Sequence, residues 1–336
     1  MGTLLIYGAT GYTGRMASQY AAESGTPIIL AGRDESKLAT LAAELNAPYK
    51  VFSLDDFKDG ETALSDVSVV LNCAGPFMRT AEILMRAAIS QGVHYLDVSA
   101  ELNSYELAEA LSAAAIESGV MLLPGSGGSV VMLGCLTAHA IERVASPQRI
   151  RLALQVKGPM SRGSAISASA SLADSSFHRT NGQLLKIEDA SLQPFDFGMG
   201  KVDCFPVTLP DLLTIWRATQ VPNIDTFVHI AGDSFPSGDL STLPDGPNAE
   251  ERLANRYRAV VEITGKEGDV ILALLDTVNG YTFTAMASTE AGRRVLAGEY
   301  KPGFQTPSLV FGNGFAETIA DTTISDIAID GHLQGN

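Results

Sequence analysis

The sequence predicts an α/β protein: an N-terminal doubly wound parallel sheet, followed by a second α+β domain with a mixed, largely antiparallel sheet. Three observations carry this expectation. Over the first 125 residues short apolar runs alternate with helical patterns, as strands buried on both faces do. A glycine cluster at residues 8–14 joins the first such run to the first helix. After Pro124 the pattern changes to alternating strands and a hairpin signal.

Taken in order, Thr3 to Tyr7 reads as a strand, Thr13 to Glu23 as a helix, Ile28 to Ala31 as a strand and Glu35 to Leu45 as a helix. Strands are predicted at Tyr49 to Phe52 and at the Val- and Leu-rich Val67 to Cys73. Thr80 to Gln91 reads as a helix, His94 to Val98 as a strand, Ser104 to Ser118 as one Ala-rich helix, and Val120 to Leu123 as the last strand of this part. Right-handed crossovers then wind the sheet both ways.

Beyond it, Val130 to Arg143 reads as a helix, Arg149 to Lys157 as a strand with one polar face, and Ser164 to Phe177 as a small-residue-rich helix. Gly182 to Pro210 looks loop-rich, Asp211 to Thr219 helical, Thr226 to Ile230 extended, and the proline-bearing Ser234 to Asn248 an exposed loop. Arg258 to Thr264 and Val270 to Leu275 flank Gly265-Lys266-Glu267-Gly268, a hairpin signal, and Tyr281 to Leu296 reads as a helix. The expected division is residues 1–125 for a nucleotide-binding domain and 126–336 for a substrate-binding and dimerisation domain, its C-terminal segment packing back on the first.

Composition excludes several classes. With 46% hydrophobic and 18% charged residues the 336-residue chain is not disordered. A net charge of −15 without a Lys/Arg-rich run excludes sequence-independent nucleic-acid binding. Cys73, Cys135 and Cys204 form no C-x-x-C pair and the five histidines no H-E-x-x-H, so no metal site is expected. The N-terminus lacks a signal-peptide pattern and no apolar run reaches the ~20 residues of a membrane span. The expectation is a cytoplasmic protein with no membrane partner.

The sharpest motif is Gly8-Ala9-Thr10-Gly11-Tyr12-Thr13-Gly14, directly after a strand and opening a helix. Dinucleotide phosphates need backbone N–H donors and the positive end of a helix dipole, and side chains would block that approach. The glycines would otherwise only shape a tight turn. In this strand–helix–strand setting they read as the phosphate loop of a Rossmann domain. The second strand ends Leu30-Ala31-Gly32-Arg33-Asp34. An acid there would bind the ribose 2′-OH of NAD; Gly32 and Arg33 instead leave room and charge for the 2′-phosphate of NADP. Asp34 either binds a hydroxyl or caps the next helix. Asn72, Ala74, Gly75 and Pro76, at the end of the fourth strand, are small enough to pass the cofactor's ribose and nicotinamide, and Cys73 reads as a buried small residue. The expected cofactor contacts are thus Gly8, Thr10, Gly11, Tyr12, Thr13, Gly14, Arg33, Asn72, Ala74, Gly75 and Pro76.

These residues resemble the saccharopine dehydrogenase-like family of NADP-binding oxidoreductases. The likeness runs through G-A-T-G-Y-T-G at Gly8–Gly14, A-G-R-D at Ala31–Asp34, N-C-A-G-P-F at Asn72–Phe77, and G-V-H-Y-L-D at Gly92–Asp97 followed by Glu101. It returns at Gly280–Ala285 and Pro302–Pro307. Where the family often has G-F-D-x-x-P, this chain has Gly125-Ser126-Gly127-Gly128-Ser129, so no role of that Asp or Pro carries over. The resemblance implies a Rossmann domain plus an α+β domain, often dimeric, and reduction of C=N, C=C or C=O bonds by NADPH.

Catalysis then needs a proton donor at the carboxyl ends of the strands, facing the second domain. His94, Tyr95, Asp97, Ser99 and Glu101 lie there, and Tyr281 opens a helix of the second domain. Tyr95, Asp97 and Tyr281 are the expected catalytic residues. Arg162, Arg179, Lys201 and Arg217 are candidates for a substrate carboxylate. The function so read is an NADPH-dependent oxidoreductase acting on a small metabolite. The alternatives are a trans-acting enoyl reductase of a lipid or polyketide pathway and a non-catalytic NADP-sensing regulator. Because Val260 and Val261 make both faces of the hairpin apolar, a homodimer joined through that sheet is also expected.

Overall fold

The computed structural model describes residues 2–55, 63–173, 176–231 and 238–327. The first half lays down six strands: β1 (Leu4–Tyr7), β2 (Ile28–Gly32), β3 (Tyr49–Val51), β4 (Val69–Asn72), β5 (His94–Asp97) and β6 (Met121–Leu123). Helices α1 (Tyr12–Glu23), α2 (Glu35–Leu45), α3 (Phe77–Gln91), α4 (Leu102–Ala110) and α5 (Ser112–Glu117) run between them. Every pairing in this sheet is parallel. The apolar runs of β1 and β4 have no exposed residue, because helices cover both faces.

Helix α6 (Gly128–Ile141) leads into the second sheet, which starts with β7 (Pro147–Lys157). After α7 (Arg162–Ala173) come β8 (Phe177–Thr180), β9 (Gln183–Lys186), β10 (Gln193–Asp196), β11 (Lys201–Pro206), α8 (Asp211–Thr219) and β12 (Asn223–Ala231). Then follow α9 (Ala249–Ala254), the hairpin β13 (Tyr257–Gly265) and β14 (Val270–Thr277), and α10 (Gly280–Leu296). The chain next returns to the first sheet as β15 (Gly303–Phe304), turns through α11 (Pro307–Phe311), and ends the second sheet with β16 (Thr323–Ile327). The first sheet runs β15-β6-β5-β4-β1-β2-β3, and the main path of the second runs β10-β11-β12-β7-β13-β14-β16. In the second sheet only β12 with β7 is parallel among the described pairings. One buried apolar cluster runs from Leu4 and Ile6 through Leu133 and Leu136 to Ala259 and Val261, so both sheets share a core. Helix α10 packs on α1: Thr289 Oγ1 donates to Ala17 O at 3.2 Å, and a Cβ on Gly292 would touch Leu4 at 3.1 Å.

Four sequence expectations need correction. The Ala-rich helix is two helices with Leu111 between them. No glycine or proline marks that break, but the Phe304 N–H donates to Ser112 Oγ at 3.0 Å, a contact from a distant strand that local pattern does not reveal. Phe177 opens β8 rather than ending a helix. The loop-rich stretch 182–210 holds three short strands, in which only Phe195 and Cys204 are buried; so little burial leaves a weak apolar signal. Of the predicted loop Ser234 to Asn248, residues 234–237 lie outside the described residues, and Leu240–Thr242 is a 3-10 turn.

The hairpin forms as expected, but its two apolar faces have another cause. Val261 faces the core that contains α6, while Val260 packs with Ala153, Phe195, Phe197 and Phe227 of the same chain. Val260 is 2% exposed without any second subunit. The apolar parity of the hairpin is therefore satisfied internally and does not point to an interface.

Candidate active site

In the first sheet β1 lies between β2 and β4, so the crossovers leave in opposite directions at the ends of β1 and β4. Tyr7 and Asn72 are register partners, and the chain turns away at Gly8 and Cys73. Such a switch point opens a crevice at the carboxyl ends of the strands. The glycine turn occupies it. Gly8 has φ +79°, and a Cβ there would meet Ala74 at 2.9 Å. Gly14 is demanded more strictly, since its Cβ would lie 2.1 Å from Gly8 O, in the gap where α1 passes β1. Gly11 is different: it is exposed, and its Cβ would sit 3.3 Å from Gly8 O.

Gly11 is also the N-cap of α1, with no side-chain cap hydrogen bond and no acid in the first turn. The helix thus points bare N–H groups and its positive dipole end at the crevice. The hydroxyls of Thr10 and Thr13 border the same turn. Arg33, just past β2, is exposed and forms no ion pair among the described residues. Asp34 caps α2, accepting from Lys37 N at 3.1 Å and pairing with Lys37 Nζ at 3.3 Å. That carboxylate is engaged, which leaves Arg33 as the free charged group at the end of β2. A phosphate-binding turn with a spare guanidinium fits an NADP-type dinucleotide.

Asn72 is buried and its amide is consumed: Nδ2 donates to Thr80 Oγ1 at 3.0 Å and Tyr95 OH at 3.2 Å, and Oδ1 accepts from Ala74 N at 3.0 Å. Its part is to hold the loop Cys73–Pro76, in which Gly75 and Pro76 are exposed toward solvent and the peptide between them is cis. The thiol of half-buried Cys73, desolvated by its surroundings and beside Asp97, is pushed up to about 12.

Tyr95 and Asp97 are both fully buried. The Tyr95 hydroxyl donates to Asp97 Oδ2 at 2.8 Å, and Asp97 Oδ1 accepts from Ser99 N at 2.9 Å and Gly125 N at 2.8 Å. Burial pushes the Asp97 carboxyl up to about 6 against these bonds. Asp97 therefore pins the start of the Gly125–Gly128 turn that leads into α6. The Tyr95 hydroxyl and both Asp97 oxygens are held by these bonds. His94 is structural too, accepting from Met121 N at 3.1 Å.

Glu101 stands at the crevice rim. Its carboxylate accepts from Phe77 N at 3.3 Å and Met78 N at 3.0 Å, capping α3, and from Ser167 Oγ of α7 at 3.1 Å. Tyr281, at the start of α10, is half-buried, its oxygen accepting from Ser161 N at 2.7 Å. Its ring meets Tyr12 edge-on at 5.4 Å. Tyr12 in turn donates to Pro247 O at 2.5 Å and accepts from Arg252 at 3.1 Å. So the glycine turn and Tyr281 come together, while Tyr95 and Asp97 bond to each other and to the Gly125 turn. Arg252 was not singled out in the sequence, because it bridges to Tyr12 at a separation of 240 residues and carries no local motif.

The carboxylate-binding candidates are mostly engaged elsewhere. Arg162 pairs with Asp245, buried Arg179 donates to Leu212 O and Gly182 O, and Arg217 stacks over Phe304. Among the described residues no cluster of three or more His, Cys, Asp or Glu is placed to hold a metal.

Residues 4–123 match the family model described as the saccharopine dehydrogenase NADP binding domain. A lipid droplet localized protein of Caenorhabditis elegans is 28% identical over 138 residues, 37% of this chain and 32% of that protein. A trans-acting enoyl reductase of Mycobacterium leprae is 33% identical over 106 residues, 30% of this chain and 25% of that protein. The matches thus span a third or less of these relatives. Apo saccharopine dehydrogenase (L-Glu forming) from Saccharomyces cerevisiae superposes with a TM-score of 0.66 at 12% identity, covering 98% of this chain and all of that one, so the fold is shared.

Proposed function

We propose that this chain, built on a saccharopine dehydrogenase-type NADP-binding domain, is an NADPH-dependent oxidoreductase that reduces a C=N, C=C or C=O bond of a small metabolite. The carrying observation is the uncapped N-terminus of α1 behind Gly8–Gly14, with unpaired Arg33 beside it. The residues fit the cofactor: glycines where a Cβ would crowd the turn, bare N–H groups for the pyrophosphate, and a free guanidinium for the 2′-phosphate. When bound, NADPH supplies the hydride. The chain's own work is to orient the substrate against it and to deliver a proton.

Tyr281 is our choice of proton donor. It lies beside Tyr12, and because Ser161 N–H donates to its oxygen, its own proton is free to be given. Tyr95 and Asp97 support the Gly125–Gly128 turn instead. A trans-acting enoyl reductase is the second reading, favoured by the 33% identity over 106 residues. No helix among the described residues is long and apolar enough to cross a membrane, and we place the protein in the cytoplasm. We propose a homodimer whose contact is the stretch between residues 183 and 206, where Leu185, Leu192, Met199 and Phe205 are exposed. Light scattering at micromolar concentration should give twice the chain mass; a single-chain mass rejects the dimer.

The test of activity is NADPH consumption against three substrate sets: cyclic imines, enoyl thioesters and ketones. Turnover with one set supports the oxidoreductase and names the bond. Tight NADPH binding with no turnover on any set would favour a sensor and overturn the proposal.

A further inference from the structure

Beside Tyr281 stands a second tyrosine that proton donation does not use. Tyr257 opens β13, and strand parity puts it in the row of Ala259, Val261 and Ile263 that faces the shared core. It ends that row where the core gives way to the half-buried rings of Tyr12 and Tyr281, which pack against the same cluster.

One side chain sets the two tyrosines against each other. Asn279 Nδ2 donates to Asn255 O at 3.1 Å, just before β13, and Asn279 Oδ1 accepts from Tyr281 N at 3.1 Å, at the start of α10. Between them Gly280 has no room for a side chain, since a Cβ there would lie 2.3 Å from the Tyr257 ring. A charge on the Tyr281 or Tyr12 oxygen would be felt at the Tyr257 hydroxyl, so the three phenols share one neighbourhood.

Other buried tyrosines of this protein spend their hydroxyls: Tyr95 on Asp97 at 2.8 Å and Tyr105 on Ser99 O at 2.6 Å. The Tyr257 hydroxyl has no hydrogen-bond partner among the described residues. The side-chain atoms there that are both enclosed and unpartnered belong to Thr137, Gln155, Asp211, Thr214 and Thr306. The Tyr257 oxygen is not one of them, so the 8% of the residue that stays exposed includes its polar tip. Burial pushes this phenol up, so it works as a donor and not as an anion. An unmet donor in so buried a residue costs about 1–3 kcal/mol, a cost that an arriving acceptor removes.

We propose that Tyr257 is a second substrate-binding hydroxyl of this site, donating to a carbonyl oxygen at or next to the bond that is reduced. The proposal rests on the reading of Tyr281 as proton donor. The pair holds two protons to give, because Tyr281 accepts from Ser161 N–H and Tyr257 is unpartnered. Of the three bond types, C=C offers no lone pair, and an imine nitrogen offers one, which the proton from Tyr281 takes. A carbonyl oxygen has two and serves both donors. That oxygen gathers negative charge as a ketone, or a C=C conjugated to a carbonyl, is reduced, and the bond from Tyr257 strengthens with it.

Tyr257→Phe removes only the hydroxyl. Urea unfolding of the full chain should find the variant at least as stable as wild type, because no bond within the protein is lost. The carbonyl probe is cyclohexanone, titrated by ligand-observed NMR with and without NADP+. Wild type should bind it with a dissociation constant on the order of 1 mM, as suits so few heavy atoms. The variant should bind it at least about fivefold more weakly, while NADPH affinity by fluorescence stays within about twofold. A less stable or unfolded variant would make the hydroxyl structural. Equal cyclohexanone binding by the two proteins, or none by wild type, would leave it to solvent, and a matching loss of NADPH would assign its bond to the cofactor. Each of these overturns the proposal. Loss of cyclohexanone in the variant, in a protein whose wild type binds no NADPH, would keep the carbonyl site and reject the oxidoreductase.

Discussion

Asp211 offers a perturbation whose size can be worked from its surroundings. It is fully buried in the first turn of α8, and neither carboxylate oxygen has a hydrogen-bond partner beyond a weak approach of its own backbone N–H. Desolvation pushes its carboxyl from 3.8 to about 7, outweighing the helix N-terminus that would favour the anion. Between these values the folded protein holds a proton that the unfolded chain has lost. Stability therefore falls as pH rises through that window and is level above it. At ~1.36 kcal/mol per pH unit the full loss is about 4 kcal/mol, an upper bound because water and side chains relax around a buried charge. Asp211→Asn cannot ionise. Urea unfolding of both proteins from pH 4.5 to 8 should find them close at the acid end. At the basic end the variant should be more stable by about 2–4 kcal/mol. Parallel curves across that range would refute the reasoning, since they would mean that Asp211 ionises as easily folded as unfolded.

Gly14→Ala should destabilise the fold by about 1–3 kcal/mol, because its Cβ meets backbone at 2.1 Å, whereas Gly11→Ala, at 3.3 Å, should keep the thermal midpoint and weaken NADPH binding. Comparing melting curves with cofactor titrations separates the two. Tyr281→Phe should lower turnover by about 100-fold or more with NADPH affinity within a factor of about three, and an unchanged rate would remove Tyr281 as proton donor.

Much of the first domain was legible because its physics is local. Apolar runs of four or five residues, a glycine-rich turn and a capped helix are written in adjacent positions, and α2 falls at Glu35–Leu45 as the pattern predicts. The cofactor turn was legible for the same reason: Gly14 is required by a contact six residues away. The catalytic choice was harder. Tyr95 and Asp97 carry acid–base chemistry at the end of a strand, but strand alternation does not reveal that Asn72 and Gly125 hydrogen-bond to them. The hairpin misled in a similar way. Val260 and Val261 do both face apolar surroundings, yet the cover over Val260 comes from Phe195 and Phe197, in a stretch whose own pattern was too weak to read as strands.

The account stands or falls on the 2′-phosphate. The most direct measurement is fluorescence titration of wild type and Arg33→Ala with NADPH and with NADH. Loss of one charge-assisted contact, about 1.5–3 kcal/mol, should weaken NADPH by about 10- to 100-fold, while NADH, which has no 2′-phosphate, should change by less than about threefold. Equal losses for the two cofactors, or tighter wild-type binding of NADH than of NADPH, would contradict it.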